Sequence, residues 1–69
     1  MKEGDVIRNI KPRTIRIARI IDMNRDRIIL KVLKTPFKKW LYEEVELYTN
    51  GIIDCYETLS KEEAFLELL

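Results

Sequence analysis

Apolar and polar residues alternate over long stretches of this chain, with the two-residue period that is typical of β-strands packed on one face. Segments 14–22 and 27–34 show it most clearly, since both are rich in apolar, β-branched residues at alternate positions. The polar residues 24–26 separate the two segments. Two such runs around a short polar turn predict a β-hairpin.

Two features of this hairpin depart from simple alternation. Arg19 has the same parity as the isoleucines of segment 14–22, which predicts either a β-bulge near Ala18 or the end of the buried face. The second face of segment 27–34 is only half polar. We therefore expect another element to cover part of that face.

Segment 37–49 has two interpretations. As a helix it would be capped by Thr35, would have Pro36 in its first turn and would end at Asn50-Gly51. As a strand over 40–48 it would be followed by Asn50-Gly51 as a two-residue hairpin turn into a further strand over 52–57. The Trp, Tyr and Val of the segment, and the β-rich stretch after the glycine, favour the strand.

The end of the chain carries a helix signal. Ser60 followed by Glu63 is a capping box, in which each side chain bonds the other residue's backbone N–H, and it predicts a helix over 61–69. An apolar stripe on this helix is formed by Phe65, Leu68 and Leu69. So short a helix is not stable alone in water, so we expect it to dock on the end of the sheet or on another molecule.

Together these segments predict one small domain over residues 1–69, of the mainly β (β+α) class. We expect five strands in a small barrel or a curved antiparallel sheet, followed by a C-terminal helix. The predicted strands cover residues 5–9, 14–22, 27–34, 40–48 and 52–57, and the predicted helix covers residues 61–69.

The opening of the chain adds a family resemblance. Residues 2–8 read Lys-Glu-Gly-Asp-Val-Ile-Arg and precede the long hairpin. This looks like the start of SH3-like small barrels of the KOW and Tudor-like group, in which a Gly-Asp pair leads into the first strand. The resemblance covers the N-terminal half and implies an SH3-like barrel, while an OB-like barrel explains the same number of strands. No residues here match the aromatic cage or the proline-peptide groove of that group.

Charge is sorted along the chain. Residues 1–40 contain 12 Lys and Arg against 4 Asp and Glu, whereas residues 41–69 contain one Lys against 8 Asp and Glu. The two parts carry net charges of +8 and −7, although the whole chain is only +1. Because opposite charges on neighbouring strands stabilise a sheet modestly, this division indicates either two separate interaction surfaces or two pieces that neutralise each other.

The basic part suggests the first functional hypothesis, a nucleic-acid-binding module. Cations on a sheet attract phosphates through counterion release, and neighbouring aromatic rings offer stacking platforms for bases. Phe37 and Trp40 flank two lysines in this way, but a lone Trp in so small a protein is more often a buried anchor, and we favour a core position for both. The proposed nucleic-acid-binding residues are Arg13, Arg16, Arg19, Arg25, Arg27, Lys31, Lys34, Lys38, Lys39 and Trp40.

The acidic part suggests the alternative, a protein–protein interaction module or a self-assembling accessory module. Its carboxylates would contact a basic partner, and its C-terminal helix would dock on another protein. Complementary halves would also allow head-to-tail association of copies. The expected partner is then another protein or a second copy. The proposed protein-binding residues are Glu43, Glu44, Glu46, Phe65 and Leu68.

Several chemistries lack the residues they need. The chain has no His and a single Cys, Cys55, so the usual zinc, copper and haem sites have too few ligands and the commonest general base is missing. We therefore expect a non-enzymatic protein with no catalytic residues, no metal, no cofactor and no small-molecule substrate. A single cysteine cannot form an intramolecular disulfide, and the absence of disulfides is typical of cytoplasmic proteins, so we expect a cytoplasmic location. We expect neither a signal peptide nor a membrane span.

Overall fold

The computed structural model describes residues 1–11 and 14–69, and at residues 52 and 53 it describes the backbone alone. In chain order its elements are β1 (Val6–Asn9), β2 (Ile17–Met23), β3 (Arg27–Lys34), a 3-10 helix (Lys38–Trp40), β4 (Glu44–Tyr48), α1 (Thr49–Ile53), β5 (Tyr56–Thr58) and α2 (Lys61–Glu67). The predicted mainly β fold with a C-terminal helix is confirmed. Among the described residues, no helix has the length and apolar character needed to cross a membrane.

All strand pairs are antiparallel, and the strands form one curved, unclosed sheet in the order β4-β3-β2-β1-β5. One side of this sheet, the inner face, carries the main core. Leu30 shows the arrangement, since it lies opposite Ile20 on β2 and Val45 on β4. The fully buried side chains of the inner face are Ile7, Ala18, Ile20, Ile28, Leu30 and Val32.

The other side of the sheet is the outer face, and it carries Arg19 together with an isoleucine of the same alternation. The register of β2 against β3 shifts between Ile17 and Ala18, but the extra residue is Leu33 on β3, so the alternation of β2 itself is unchanged there. Ile17 and Arg19 both lie on the outer face, where Ile17 pairs with Arg8 and Arg19 pairs with Val6. Ile17 is buried and Arg19 is exposed, so the covered part of the outer face ends between them.

α2 begins at the predicted capping box. The Glu63 N–H donates to the Ser60 hydroxyl at 3.1 Å, and the Ser60 N–H donates to the Glu63 carboxylate at 3.2 Å. The hydrogen bonds from Ser60 lower the pKa of Glu63, because they favour the charged carboxylate. The helix ends at Glu67, two residues before the predicted end.

α2 covers the outer face at the row formed by Arg8, Ile17 and Lys34, which lie side by side on β1, β2 and β3. Both cations of this row contact Glu67 of the helix. Ile17 lies between them and is 1% exposed. The helix therefore covers this row of the outer face, while Ile29, Lys31 and Leu33, which form the half-polar face of segment 27–34, are half-buried. The described apolar residues buried outside the main cluster are Ile17, Leu59 and Ala64.

β4 is shorter than the strand predicted over residues 40–48. The chain first forms the 3-10 helix and then a turn in which Tyr42 has a φ of 65°, a left-handed conformation that is incompatible with a strand. The Tyr42 N–H donates to the carbonyl oxygen of Val32 at 2.8 Å, which fixes this turn against β3. The strand consequently begins only at Glu44.

The hairpin turn predicted at Asn50-Gly51 is wrong, and the strand predicted over 52–57 is present only as the short β5. The chain instead forms α1, a single helical turn that starts at the buried Thr49. The Thr49 N–H donates to the carbonyl oxygen of Asp26 at 3.0 Å, which anchors the turn to the β2–β3 hairpin. β5 then pairs with β1 at the opposite edge of the sheet, so this long-range pairing overrides the local turn preference.

Candidate functional site

The strand order places the acidic part of the chain around the basic part. β1, β2 and β3 come from residues 1–40, whereas both edge strands and α2 come from residues 41–69. Each edge strand therefore brings carboxylates beside a basic strand, and Glu44 lies opposite Lys31 in this way. The charge division along the sequence becomes an interleaved pattern in the fold.

Arg8 joins three elements of this pattern. Its Nε donates to Oε1 of Glu57 on β5 at 2.8 Å, and its Nη1 donates to Oε1 of Glu67 on α2 at 3.1 Å. The hydrogen bond to Glu57, together with the charges of Glu57, Glu67 and Glu63, raises the pKa of Arg8. The paired side chains are each more than a third exposed, so water screens them and their contribution is to position α2 rather than to add much stability.

Two of the proposed nucleic-acid-binding residues already contact glutamates of the acidic part of the chain. Nη1 of Arg27 lies 2.6 Å from Oε1 of Glu46, and Nζ of Lys34 donates to the backbone carbonyl oxygen of Glu67 at 3.1 Å. These contacts link β3 to β4 and to α2. They favour the interpretation in which the two charged parts neutralise each other.

The proposed nucleic-acid-binding residues do not form one patch. The two ends of the sheet are about 23 Å apart, because β3 runs from one end to the other and has eight residues. Arg13 lies outside the described residues. The others are divided among the hairpin tip (Arg25, Arg27), the middle of the outer face (Arg19, Lys31) and the opposite end (Arg16, Lys34, Lys38, Lys39, Trp40).

The 3-10 helix presents aromatic and basic side chains at that opposite end. Phe37 is 49% exposed and Trp40 is half-buried outside the main cluster, so the expected core position is wrong for Phe37 and only partly met by Trp40. The Trp40 N–H donates to the Phe37 carbonyl oxygen at 2.9 Å, which closes the turn. Lys38 and Lys39 are exposed beside them, and no carboxylate among the described residues forms an ion pair with either.

The proposed acidic contact residues lie at one edge of the sheet. Glu44 and Glu46 are exposed on the outer face of β4, and Glu43 is exposed just before that strand. Because Glu46 contacts Arg27 and Glu44 lies opposite Lys31, these carboxylates border a basic strand instead of forming a separate acidic surface.

The most exposed apolar side chains of α2 and the residues after it form a third surface. Phe65, Leu66 and Leu69 are 66%, 68% and 83% exposed, and Leu68 is 41% exposed. Phe65 borders two depressions, one of about 540 Å³ and one of about 410 Å³. The larger depression is lined by Val6, Arg19, Leu59, Ala64 and Leu68 among others.

Sequence reasoning proposed Phe65 and Leu68 for protein binding and missed Leu66. The sequence did contain a sign that apolar side chains would be exposed here. The last five residues include three leucines and one phenylalanine, and a short helix cannot bury so many large apolar side chains on one face. Ala64 and Leu59 are the residues buried at the sheet, which leaves the bulkier side chains in water.

Comparison with protein-family models, curated proteins and solved structures gives no match to this chain. Its function is therefore inferred from its own residues.

Proposed function

We propose that this chain is a small, non-enzymatic protein-interaction module that associates with a second copy of itself through α2. The observation that carries the proposal is the exposure of Phe65, Leu66 and Leu69 on and just after one short helix. Contiguous exposed apolar side chains mark interaction surfaces, whereas single scattered ones do not.

The shape of the surface supports a second copy as the partner. Phe65 stands between the two depressions, so the same element supplies both a protruding ring and the apolar recess beside it. A two-fold interface brings the same surface of both copies together, and the ring of each copy then enters the recess of the other. Glu67 of α2 already contacts Arg8 and Lys34 of its own chain. We therefore expect the contact between two copies to depend on apolar burial more than on charge.

Replacement of Phe65 by serine tests this proposal. Sedimentation equilibrium should show a concentration-dependent dimer for the wild-type chain. Phe65→Ser should weaken dimerisation at least about tenfold, because each copy loses a ring that the proposed interface would bury. Phe37→Ser is the matched control, since it removes another exposed phenylalanine, 49% exposed against 66% for Phe65, outside α2 and should leave dimerisation unchanged. Equal dimerisation of the Phe65→Ser variant and the wild type would contradict the proposal.

Nucleic-acid binding is the second candidate function. The supporting observation is the 3-10 helix, where the half-exposed ring of Phe37 lies beside two exposed lysines, the combination that single-strand binding uses. Arg27 at the hairpin tip is paired with Glu46, whereas the end of the sheet at the 3-10 helix combines exposed lysines with an exposed ring. The candidate therefore requires Lys38 and Lys39 more than Arg27.

A labelled thymidine oligonucleotide tests the second candidate by fluorescence anisotropy. Affinity should fall steeply with added salt, and Phe37→Ser should lower it about tenfold through lost stacking. Lys38→Gln should reduce the salt dependence, whereas Lys61→Gln on α2 should not. If no salt-dependent binding occurs at low ionic strength, this candidate fails.

We also propose an SH3-like small-barrel relationship and a cytoplasmic location. The resemblance to SH3-like small barrels is supported by the Gly4-Asp5 pair, which leads into β1 with a positive φ of 88° at the glycine. A cytoplasmic location is supported by the single cysteine.

A further inference from the structure

β4 is an edge of the sheet whose outer backbone groups have no neighbouring strand in the described fold. On both sides of this strand the chain bonds the β2–β3 hairpin: the Thr49 N–H donates to the hairpin turn at 3.0 Å, and the Glu43 carbonyl accepts from β3 at 3.0 Å. Hydrogen-bonded positions alternate in an antiparallel pair, so the odd-numbered residues of β4 bond β3. The residues whose N–H and C=O groups point away from the sheet are Glu44, Glu46 and Tyr48.

Side chains along this edge alternate between acidic and apolar. Glu44 and Glu46 are exposed on the outer face, whereas Val45 and Leu47 lie on the inner face and are only half-buried. Both apolar residues pack against the main cluster from its margin. An added strand would therefore find apolar surface on one side and carboxylates on the other.

An opening beside this edge has room for inward-pointing side chains. It measures about 340 Å³ and lies between the two edges of the unclosed sheet, because its lining includes Leu47 of β4 and Tyr56 of β5. Cys55 and Tyr48 also border it. The opening adjoins the C-terminal end of β4, where Gly51 of α1 and Lys11 also border it.

We infer that the free edge of β4 binds an extended peptide segment in which Lys or Arg alternates with aliphatic residues, as a sixth antiparallel or parallel strand. The backbone of the segment bonds the outward groups of β4, which is the recognition mode of strand addition. Its cations lie beside Glu44, which forms no ion pair within the described residues, and beside Glu46, which they share with Arg27. Its aliphatic side chains extend the inner face next to Val45 and Leu47.

Charge argues against a second copy as the occupant of this edge. Pairing β4 with β4 of another copy brings glutamates together, and the other edge, β5, carries Glu57. Like charges opposite each other destabilise a pair of strands. This site is therefore separate from the proposed self-association through α2, and the occupant is a segment of a different protein.

A capped peptide of sequence Lys-Ile-Lys-Val-Lys, with a fluorescent label, is a suitable probe. The expected result is saturable binding that slows hydrogen exchange at the amides of Glu44, Glu46 and Tyr48, measured by NMR. A peptide with Glu in place of each Lys should not bind. A peptide methylated at the backbone nitrogens that face β4 keeps the charge and should lose binding at least about tenfold, since it cannot donate to the edge.

Two variants at one position separate the backbone contribution from the charge. Glu44→Gln removes a carboxylate and should weaken binding several-fold, while Glu44→Pro also removes the outward N–H and should weaken it further, because proline is tolerated at an edge strand but cannot donate. Both measurements use the chain that carries Phe65→Ser, so they stand whether or not α2 mediates association. Absence of binding, or equal binding of the methylated peptide, would overturn the inference, and protection confined to the 3-10 helix would assign the peptide to another surface.

Discussion

Replacement of Leu30 by alanine should lower the free energy of unfolding by about 3 kcal/mol. Leu30 is completely buried in the central part of the sheet, between Ile20 on β2 and Val45 on β4. The cost combines lost transfer of the side chain from water with the cavity left behind, which strands on both sides cannot close. A chain of 69 residues has a total stability of about 3 to 10 kcal/mol, so a large part of it depends on this side chain.

Urea-induced unfolding measures this loss, and Leu33→Ala is its control. Leu33 lies on the same strand but is only half-buried and lies outside the main cluster, so the same deletion should cost about 1 kcal/mol or less. Equal losses for the two variants would mean that the inner face is not the principal core.

Replacement of Ile17 by alanine should cost a similar amount, about 3 kcal/mol, through a different element. Ile17 is buried on the outer face beneath α2, between two cations that contact Glu67. Because a helix this short depends on its docking contacts, the variant should release α2 before the sheet unfolds.

Hydrogen exchange distinguishes this local effect from global unfolding. In the Ile17→Ala variant, the amides of Ala64 and Leu68, which bond within α2, should exchange faster relative to those of β3 than in the wild type. Ile21→Ala is the matched control, because this isoleucine lies at the second register shift of the same strand and is 41% exposed. Uniform acceleration across α2 and β3 would contradict an independent docking role for Ile17.

Features determined by close neighbours in the chain were predictable from the sequence. The β2–β3 hairpin follows from the alternation on both sides of a polar turn, and the Asn24 side chain accepts from the N–H groups of Asp26 and Arg27 to close that turn. The capping box required only Ser60 and Glu63, three residues apart. In each case the partners lie within a few residues, so local preference and the final fold agree.

Features that depend on distant pairing were not predictable in this way. The Asn50-Gly51 pair carries a strong hairpin signal, but β5 pairs with β1, whose residues are almost fifty positions away. No local pattern encodes that choice, which is decided by burial of residues such as Tyr56 against the inner face. Tyr42 likewise adopts a left-handed conformation because its backbone bonds β3.

The candidate surfaces depended on the same long-range arrangement. The sequence revealed two oppositely charged parts, but only the strand order shows that acidic edges flank a basic centre. The neutralising contacts of Arg8 and Arg27 follow from that order. The sequence pattern did not show which apolar side chains of α2 pack on the sheet and which, like Phe65 and Leu66, remain exposed, because more than one face of the helix carries apolar residues.

Sedimentation equilibrium of the wild-type chain at low and at high salt tests the central claim most directly. That claim is that the charges neutralise each other within one molecule and that copies meet through the apolar surface of α2. We predict a dimer whose dissociation constant is unchanged or slightly lower at high salt, because salt screens charges but strengthens apolar burial. A chain that is monomeric in both conditions, or an assembly that dissociates as salt is added, would contradict it.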